Sequence, residues 1–174
     1  PLHTLKGHTS IISSIAFSPD GATLASGSYD DNTIRLWQVS DGSPLRTLTG
    51  HTDAVLSLAF SPDGAMLASG SGDNTIRLWQ VSSGSLLHTL EGHVSWVYNV
   101  TFSSDGATLT SWSNDRTIRL WQVSDGSLLR TFEDTLKEYL DNVERIAFSP
   151  DGSLLAMASG DQVYLWRTSD GSLL

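Results

Sequence analysis

Cysteine is absent from the chain. Its absence excludes disulfides and thiolate metal sites, and it suits a reducing, cytoplasmic setting. Basic residues are few: 10 Lys and Arg stand against 19 Asp and Glu, a formal net charge of -9. Such a chain repels a phosphate backbone, and no cluster of Lys and Arg interrupts the acidic sign, so nucleic acid is not an expected partner. No apolar run approaches the length of about 18 residues needed to span a bilayer. The opening Pro1-Leu2-His3-Thr4-Leu5 has neither the basic start nor the apolar stretch of a signal peptide. No membrane association is expected. What the chain does have is an ordinary globular balance, 39% hydrophobic and 17% charged over 174 residues, enough to bury one respectable core.

It also repeats itself. Gly-His occurs at Gly7-His8, Gly50-His51 and Gly92-His93, and Trp37, Trp79, Trp121 and Trp166 follow at intervals of 42, 42 and 45 residues. A period of roughly 40 to 45 with Gly-His early and Trp late marks one four-stranded propeller blade per repeat. A single all-β domain over 1–174 results, with blades at roughly 7–48, 50–90, 92–132 and 139–174. In the second repeat, 55–60 reads as a strand, Ser61-Pro62-Asp63-Gly64 as its turn and 65–71 as the return strand. Pro presets φ in such a turn, Asp bonds to the nearby backbone and Gly accepts positive φ. A tight turn at Gly72-Asp73-Asn74 leads into Thr75-Ile76-Arg77-Leu78-Trp79, which alternates as a half-buried strand should. Ser83-Gly84 then turns the chain into an outer strand, 86–90.

Gly-His, Ser-Pro-Asp-Gly, Leu-Ala-Ser-Gly-Ser and Asp-x-Thr-Ile-Arg-Leu-Trp together resemble the WD40-repeat β-propeller family, of the bacterial type with highly self-similar repeats. The eponymous Asp is replaced by Gln38, Gln80, Gln122 and Arg167. The resemblance implies that the strand after each Gly-His loop is innermost in its blade. It also implies that His51, Ser69, Asp73 and Trp79 form a buried hydrogen-bonded tetrad, repeated as His8, Ser26, Asp31 and Trp37 and as His93, Ser111, Asp115 and Trp121. On another scaffold Ser, His and Asp would suggest nucleophilic catalysis. Recurrence in every regular blade marks a device of the fold instead, since a catalytic site is usually single. His3 and His88, the histidines outside the tetrads, fall on outer strands. No catalytic residue, metal site or cofactor is therefore expected.

The fourth repeat departs from this pattern. Tyr139 takes the His position, Met157 the Ser position, and Asp161 lies one residue too close to Trp166. Four extra residues fall within Glu133-Asp134-Thr135-Leu136-Lys137-Glu138, which reads either as a lengthened loop or as a short helical turn opened by a Thr135–Glu138 capping box. In the first repeat, Asp30-Asp31 adds one residue, expected as a bulge.

The ends are also informative. Pro1 aligns with Pro44, making 1–5 an outer strand without its blade, and 170–174 aligns with 125–129, the start of the fourth blade's outer strand. Opening in mid-repeat without Met, the chain reads as a piece of a longer protein. Rings of the resembling family close at about six to eight blades, with an N-terminal strand completing the last blade. Two chains are therefore expected to associate head to tail as a homodimer, exchanging N-terminal strands to give an eight-bladed ring. Further repeats in cis are the alternative.

Residues peculiar to one repeat are candidates for partner recognition. Trp96 replaces Ile11, Ala54 and Asn142; Tyr98 replaces Ser13, Leu56 and Glu144; Trp112 replaces Gly27, Gly70 and Ala158. With Asn114 and Arg116 beside the tight turn, they form the candidate protein-binding set, local packing of Trp96 on Trp112 being the structural alternative. The resemblance implies a non-catalytic protein–protein interaction scaffold with a protein or peptide partner. A purely structural, recently amplified repeat array is the second reading, and a small-ligand-binding or enzymatic propeller a remote third.

Overall fold

The computed structural model describes residues 2–132, 143–149, 153–168 and 172–174. Among the described residues, fifteen strands form four antiparallel sheets in simple up-and-down order. The first holds β1 (Ile12–Phe17), β2 (Thr23–Ser28), β3 (Ile34–Gln38) and β4 (Pro44–Leu48). The second holds β5 (Val55–Phe60), β6 (Met66–Ser71), β7 (Ile76–Gln80) and β8 (Leu86–Leu90). The third is β9 (Val97–Phe102), β10 (Thr108–Ser113), β11 (Ile118–Gln122) and β12 (Leu128–Phe132). The fourth has three strands, β13 (Val143–Phe148), β14 (Leu154–Ser159) and β15 (Gln162–Arg167).

Turn chemistry sets the hairpins. Ser61 Oγ donates to Asp63 Oδ1 at 2.6 Å, the same carboxylate oxygen accepts the Ala65 N–H at 3.0 Å, and Gly64 takes φ of 71°. The turn at Ser103-Ser104-Asp105-Gly106 has the same bonds without a proline. Ser, Asp and Gly therefore hold the turn, while Pro restricts the unfolded chain and, at Pro19 and Pro62, lies beside the next blade's turn glycine. The fourth such turn, and the proposed helical turn at 133–138 with Tyr139, lie outside the described residues.

The repeat's second period sets the packing. Trp79 pairs with Leu67, Leu78 with Ala68 and Arg77 with Ser69, so successive side chains leave opposite faces of the sheet. One face of each blade meets the face of the next: Ala25, Ile34 and Leu36 of the first blade pack on Val55, Leu58, Leu67 and Trp79 of the second. Ala68, Ile76 and Leu78 meet Val97, Val100, Leu109 and Trp121 in the same way. Inner strands add a hydrogen bond across each joint, from the Leu58 N–H to Ser14 Oγ and from the Val100 N–H to Ser57 Oγ, both at 3.1 Å.

The joint between blades three and four is built differently. Trp112 stands where Gly27 and Gly70 stand earlier, and it is buried with Ile118, Phe132, Ile146, Leu155, Met157 and Trp166. A Cβ on Gly70 would lie 2.9 Å from Val97 Cγ1 and 3.0 Å from Val97 O. There is no room for a side chain at the regular joint, so an indole requires a different seating. At the inner-strand position of Ser14 and Ser57, Asn99 has a buried Oδ1 without a partner.

Two sequence expectations are corrected here. The added residue at Asp30-Asp31 is no strand bulge: it enlarges the β2–β3 turn, closed by Ser28 N–H to Thr33 O where the second blade closes Ser71 N–H to Thr75 O. The register shift near the start of β1 recurs in β5 and so has another origin. Residues 2–5 are not in a strand, because no sheet lies beside them to supply hydrogen bonds. They nevertheless occupy an outer-strand location: His3 and Leu5 sit against Gly42 as Arg46 and Leu48 sit against Gly84 and His88 and Leu90 against Gly126. At the other end, Leu173 makes a single bridge to Trp166, beginning a fourth strand on β15.

Candidate functional site

Three tetrads repeat with nearly identical geometry. In the second blade the Trp79 Nε1–H donates to Ser69 Oγ at 2.9 Å, and His51 Nε2 lies 2.7 Å from the same hydroxyl. His51 Nδ1 is 2.8 Å from Asp73 Oδ2, which also accepts the Thr52 N–H at 3.1 Å. Asp73 Oδ1 accepts from the Thr75 backbone and hydroxyl at 2.9 and 2.7 Å. Since the indole N–H occupies one lone pair of Ser69, the hydroxyl proton points to Nε2 and Nδ1–H points to the carboxylate. Ser69 is fully buried and committed on both sides, so it is no nucleophile. The network ties the Gly-His loop and the tight turn to the strand carrying Trp79.

Burial acts to raise the carboxyl pKa of Asp73 and Asp115, but hydrogen bonds from the His ring and the Thr hydroxyl outweigh it, holding both well below the usual carboxylate range. Asp31 is lowered likewise: burial is again opposed, here by Thr33, the Thr9 N–H and His8. Gly50 completes the second unit. Its φ is 150°, and the Arg77 guanidinium, which lies over Trp79 at 6.0 Å, fills the space a side chain would need.

The first tetrad lines an open recess with Leu5, Ile12, Ile15 and Leu24 rather than another blade. Among the described residues the fourth blade shows no comparable network: Met157 is fully buried at the Ser position, and Trp166 Nε1 is buried without an acceptor. Tyr164, opposite Met157 where the other blades have Arg, lies 5.8 Å from the Trp166 ring.

A second constellation lies on the loop side of the blades. Trp96 and Tyr98 meet edge to face at 6.2 Å, and Trp96 also meets Tyr29 at 6.4 Å with planes 76° apart. All three are half-exposed, at 36%, 42% and 37% for Trp96, Tyr98 and Tyr29. Asn114 joins this edge: its N–H donates to Trp96 O at 2.8 Å and its Nδ2 to Ser95 Oγ at 3.2 Å. Tyr29 belongs to the first blade's enlarged turn, so the cluster reaches across the second blade. That blade has Ala54 at the position of Trp96 and Gly72 at the position of Tyr29 and Asn114.

With the geometry in place, the comparisons with known proteins are decisive about family. The WD domain, G-beta repeat (WD40) pattern matches four times, at 1–38, 42–80, 84–122 and 126–167. The chain belongs to the WD40 repeat family. Its 174 residues superpose on the solved structure of U3-55K with a TM-score of 0.86 and 28% identity, covering 98% of this chain and 53% of that one. Single repeats match rat apoptotic protease-activating factor 1 (57% identical over 42 residues) and the Synechocystis WD repeat-containing protein sll1491 (50% over 42). Yeast ribosome assembly protein 4 matches at 43% over 42 residues. Each such stretch is 24% of this chain and only 3%, 12% and 8% of the respective relative, so the WD40 chain spans a small part of their length.

Within this WD40 chain the candidate residues separate. Trp96, Tyr98 and Asn114 come together; Arg116 lies exposed at the third tight turn with φ of 65°, where the first two blades have Asn32 and Asn74. Trp112 does not reach the surface: it is 4% exposed and packs the joint to the fourth blade. Sequence reading missed Tyr29, whose only signal was its difference from Gly72 and Asn114. Among the described residues no group of three or more His, Asp or Glu is placed to hold a metal ion, and no helix is long and apolar enough to cross a membrane.

Proposed function

We propose that this chain is a non-catalytic protein-interaction scaffold: a half-propeller that a second copy completes, head to tail, to an eight-bladed ring. The observation that carries this reading is the pair of uncovered faces at its two ends. Ile15 on β1 is 64% exposed, whereas Leu58, its counterpart on β5, is 8% exposed. Ile12 and Phe17 are exposed beside it. At the far end Val163 is 70% exposed where Ile76 is fully buried, and Leu165 is exposed where Leu78 is buried. Each end thus presents the half of a blade-to-blade joint that the other lacks. Large contiguous apolar faces of this kind mark interaction surfaces.

Strand exchange follows from the same register. Leu173 starts the outer strand on β15, and the partner's His3 and Leu5 continue it opposite Leu165 and Val163. The solved U3-55K chain, about twice the matched length, supports a half-ring as a coherent portion of such a fold. A cysteine-free, acidic scaffold of this form suits the cytoplasm.

The absence of native cysteine makes closure directly testable. His3→Cys with Leu165→Cys places one thiol on each strand of the exchanged pair, and mild oxidation gives a covalent two-chain band in the reading proposed. Only single-chain product, with both thiols free, overturns closure by a second copy and leaves repeats in cis to complete the ring. The scaffold itself is tested by capture from lysate: Trp96→Ala with Tyr98→Ala abolishes a specific capture that the parent chain makes, and unchanged capture removes that surface.

A further inference from the structure

We infer that the Tyr29–Trp96–Tyr98 cluster binds a cationic side chain, an arginine or lysine of a partner's segment. This deepens the scaffold reading and rests on it. Three observations converge. The rings contact one another at the surface: Trp96 stands nearly perpendicular to both tyrosines, and each of the three residues is more than a third exposed. Each edge-to-face contact engages one face of one ring, so the two contacts engage two of the six faces of the three rings; an aromatic face left uncovered is electron-rich and attracts a cation.

Second, the surroundings are acidic. Asp30 follows Tyr29 in the same enlarged turn, where it accepts a 2.5 Å hydrogen bond from Ser10 Oγ and remains exposed. Asp53 precedes Ala54 on the blade between the rings, caps the Ala54 N–H at 2.7 Å and is exposed too. Neither carboxylate is committed to a tetrad. The chain's net charge of -9 adds a long-range field of the same sign, which speeds the approach of a basic segment and repels an acidic one.

Third, the second blade is small at the positions that carry the rings in the blades on either side. Its residues at the two positions are Ala54 and Gly72, the smallest available, and the Asp53 carboxylate comes to 3.0 Å of where a Gly72 Cβ would be. The small residue at Gly72 thus leaves room for a carboxylate on the blade between the rings.

The test uses the intact chain labelled with nitrogen-15 and two probes: acetyl-Ser-Arg-Ser-amide and its neutral counterpart with norleucine for arginine. The Trp96 indole N–H resonance, assigned with Trp96→Phe, is followed on titration. The arginine peptide should shift it saturably and the norleucine peptide should not. Tyr29→Leu and Tyr98→Leu, which keep bulk and remove the aromatic face, should each weaken binding about fivefold, the value of one cation–π contact of about 1 kcal/mol. Asp53→Asn should weaken it as well, and 0.5 M salt should reduce it further. Equal shifts from both peptides overturn the cationic assignment while leaving the surface as an apolar docking site. No shift from either peptide overturns it also, and if the Trp96→Ala, Tyr98→Ala variant then still captures its partner, the scaffold reading of this surface falls separately.

Discussion

Met157 fills the place that Ser69 holds two blades earlier, and Trp166 beside it has a buried indole N–H with nothing to accept it. The comparison isolates what the tetrad does. Where the acceptor is present, the Trp, the loop and the turn are one hydrogen-bonded unit. Where it is absent, the indole is held by packing among residues such as Leu155, Met157 and Tyr164, and an unpaired buried donor carries a cost of about 1–3 kcal/mol.

Local stability should follow that difference. Amides of β14 and β15 are expected to exchange with solvent faster than those of β6 and β7 in hydrogen-exchange mass spectrometry. Equal protection in the two blades would show that the tetrad adds little to local stability.

Removing the central acceptor of a regular blade should be costly. Ser69→Ala leaves both the Trp79 indole N–H and His51 Nε2 unpaired in a dry site, so a loss of about 2–4 kcal/mol is expected, read from denaturant unfolding. A loss below about 0.5 kcal/mol would mean that the network is incidental to stability.

Acid should dissolve this advantage. The carboxyls of Asp31, Asp73 and Asp115 are lower in the folded chain than in the unfolded one. Their contribution is complete above the ordinary value of 3.8 and is lost as pH falls below it towards the folded pKa. Unfolding midpoints measured from pH 6 to pH 2 should fall most steeply below pH 4. Asp73→Asn should lower stability at pH 6 and flatten the slope below pH 4.

Blade joints should respond oppositely to size. Gly70→Ala drives a Cβ into Val97 at the regular joint and should destabilise, because one neighbour is backbone and cannot yield. Trp112→Ala empties the joint to the fourth blade and should cost about 3–5 kcal/mol. Thermal melts of the two variants check both. An unchanged Trp112→Ala melt would show that the fourth blade unfolds independently of the third.

The blades were legible in sequence because every device of the fold occurs several times. Ser-Pro-Asp-Gly and His–Ser–Asp–Trp each recur at the same place in successive repeats, give or take one residue, so chance resemblance is removed by repetition. Singular residues have no such check. Trp112 differs from Gly27 and Gly70 as sharply as Trp96 differs from Ala54, yet one turns into a joint and the other towards solvent. Strand alternation near an inner bulge decides which, and the pattern of letters does not carry it. Tyr29 was illegible for another reason: its importance comes from meeting Trp96 two blades away, a contact between residues far apart in sequence that no local pattern encodes. The segment at 2–5 was read as a strand because it aligns with Pro44 and its successors, but a strand needs a neighbour, and the sequence says nothing of which chain supplies one.

Closure of the ring by a second copy is the claim on which the exposed faces bear most directly, and molecular mass in solution measures it. Sedimentation equilibrium of the chain at micromolar concentration should return twice the 18.8 kDa of one copy, and Ile15→Asp, placing a charge in the uncovered face, should return a single copy. A parent chain that sediments as one copy, with Ile15→Asp unchanged from it, would contradict the account.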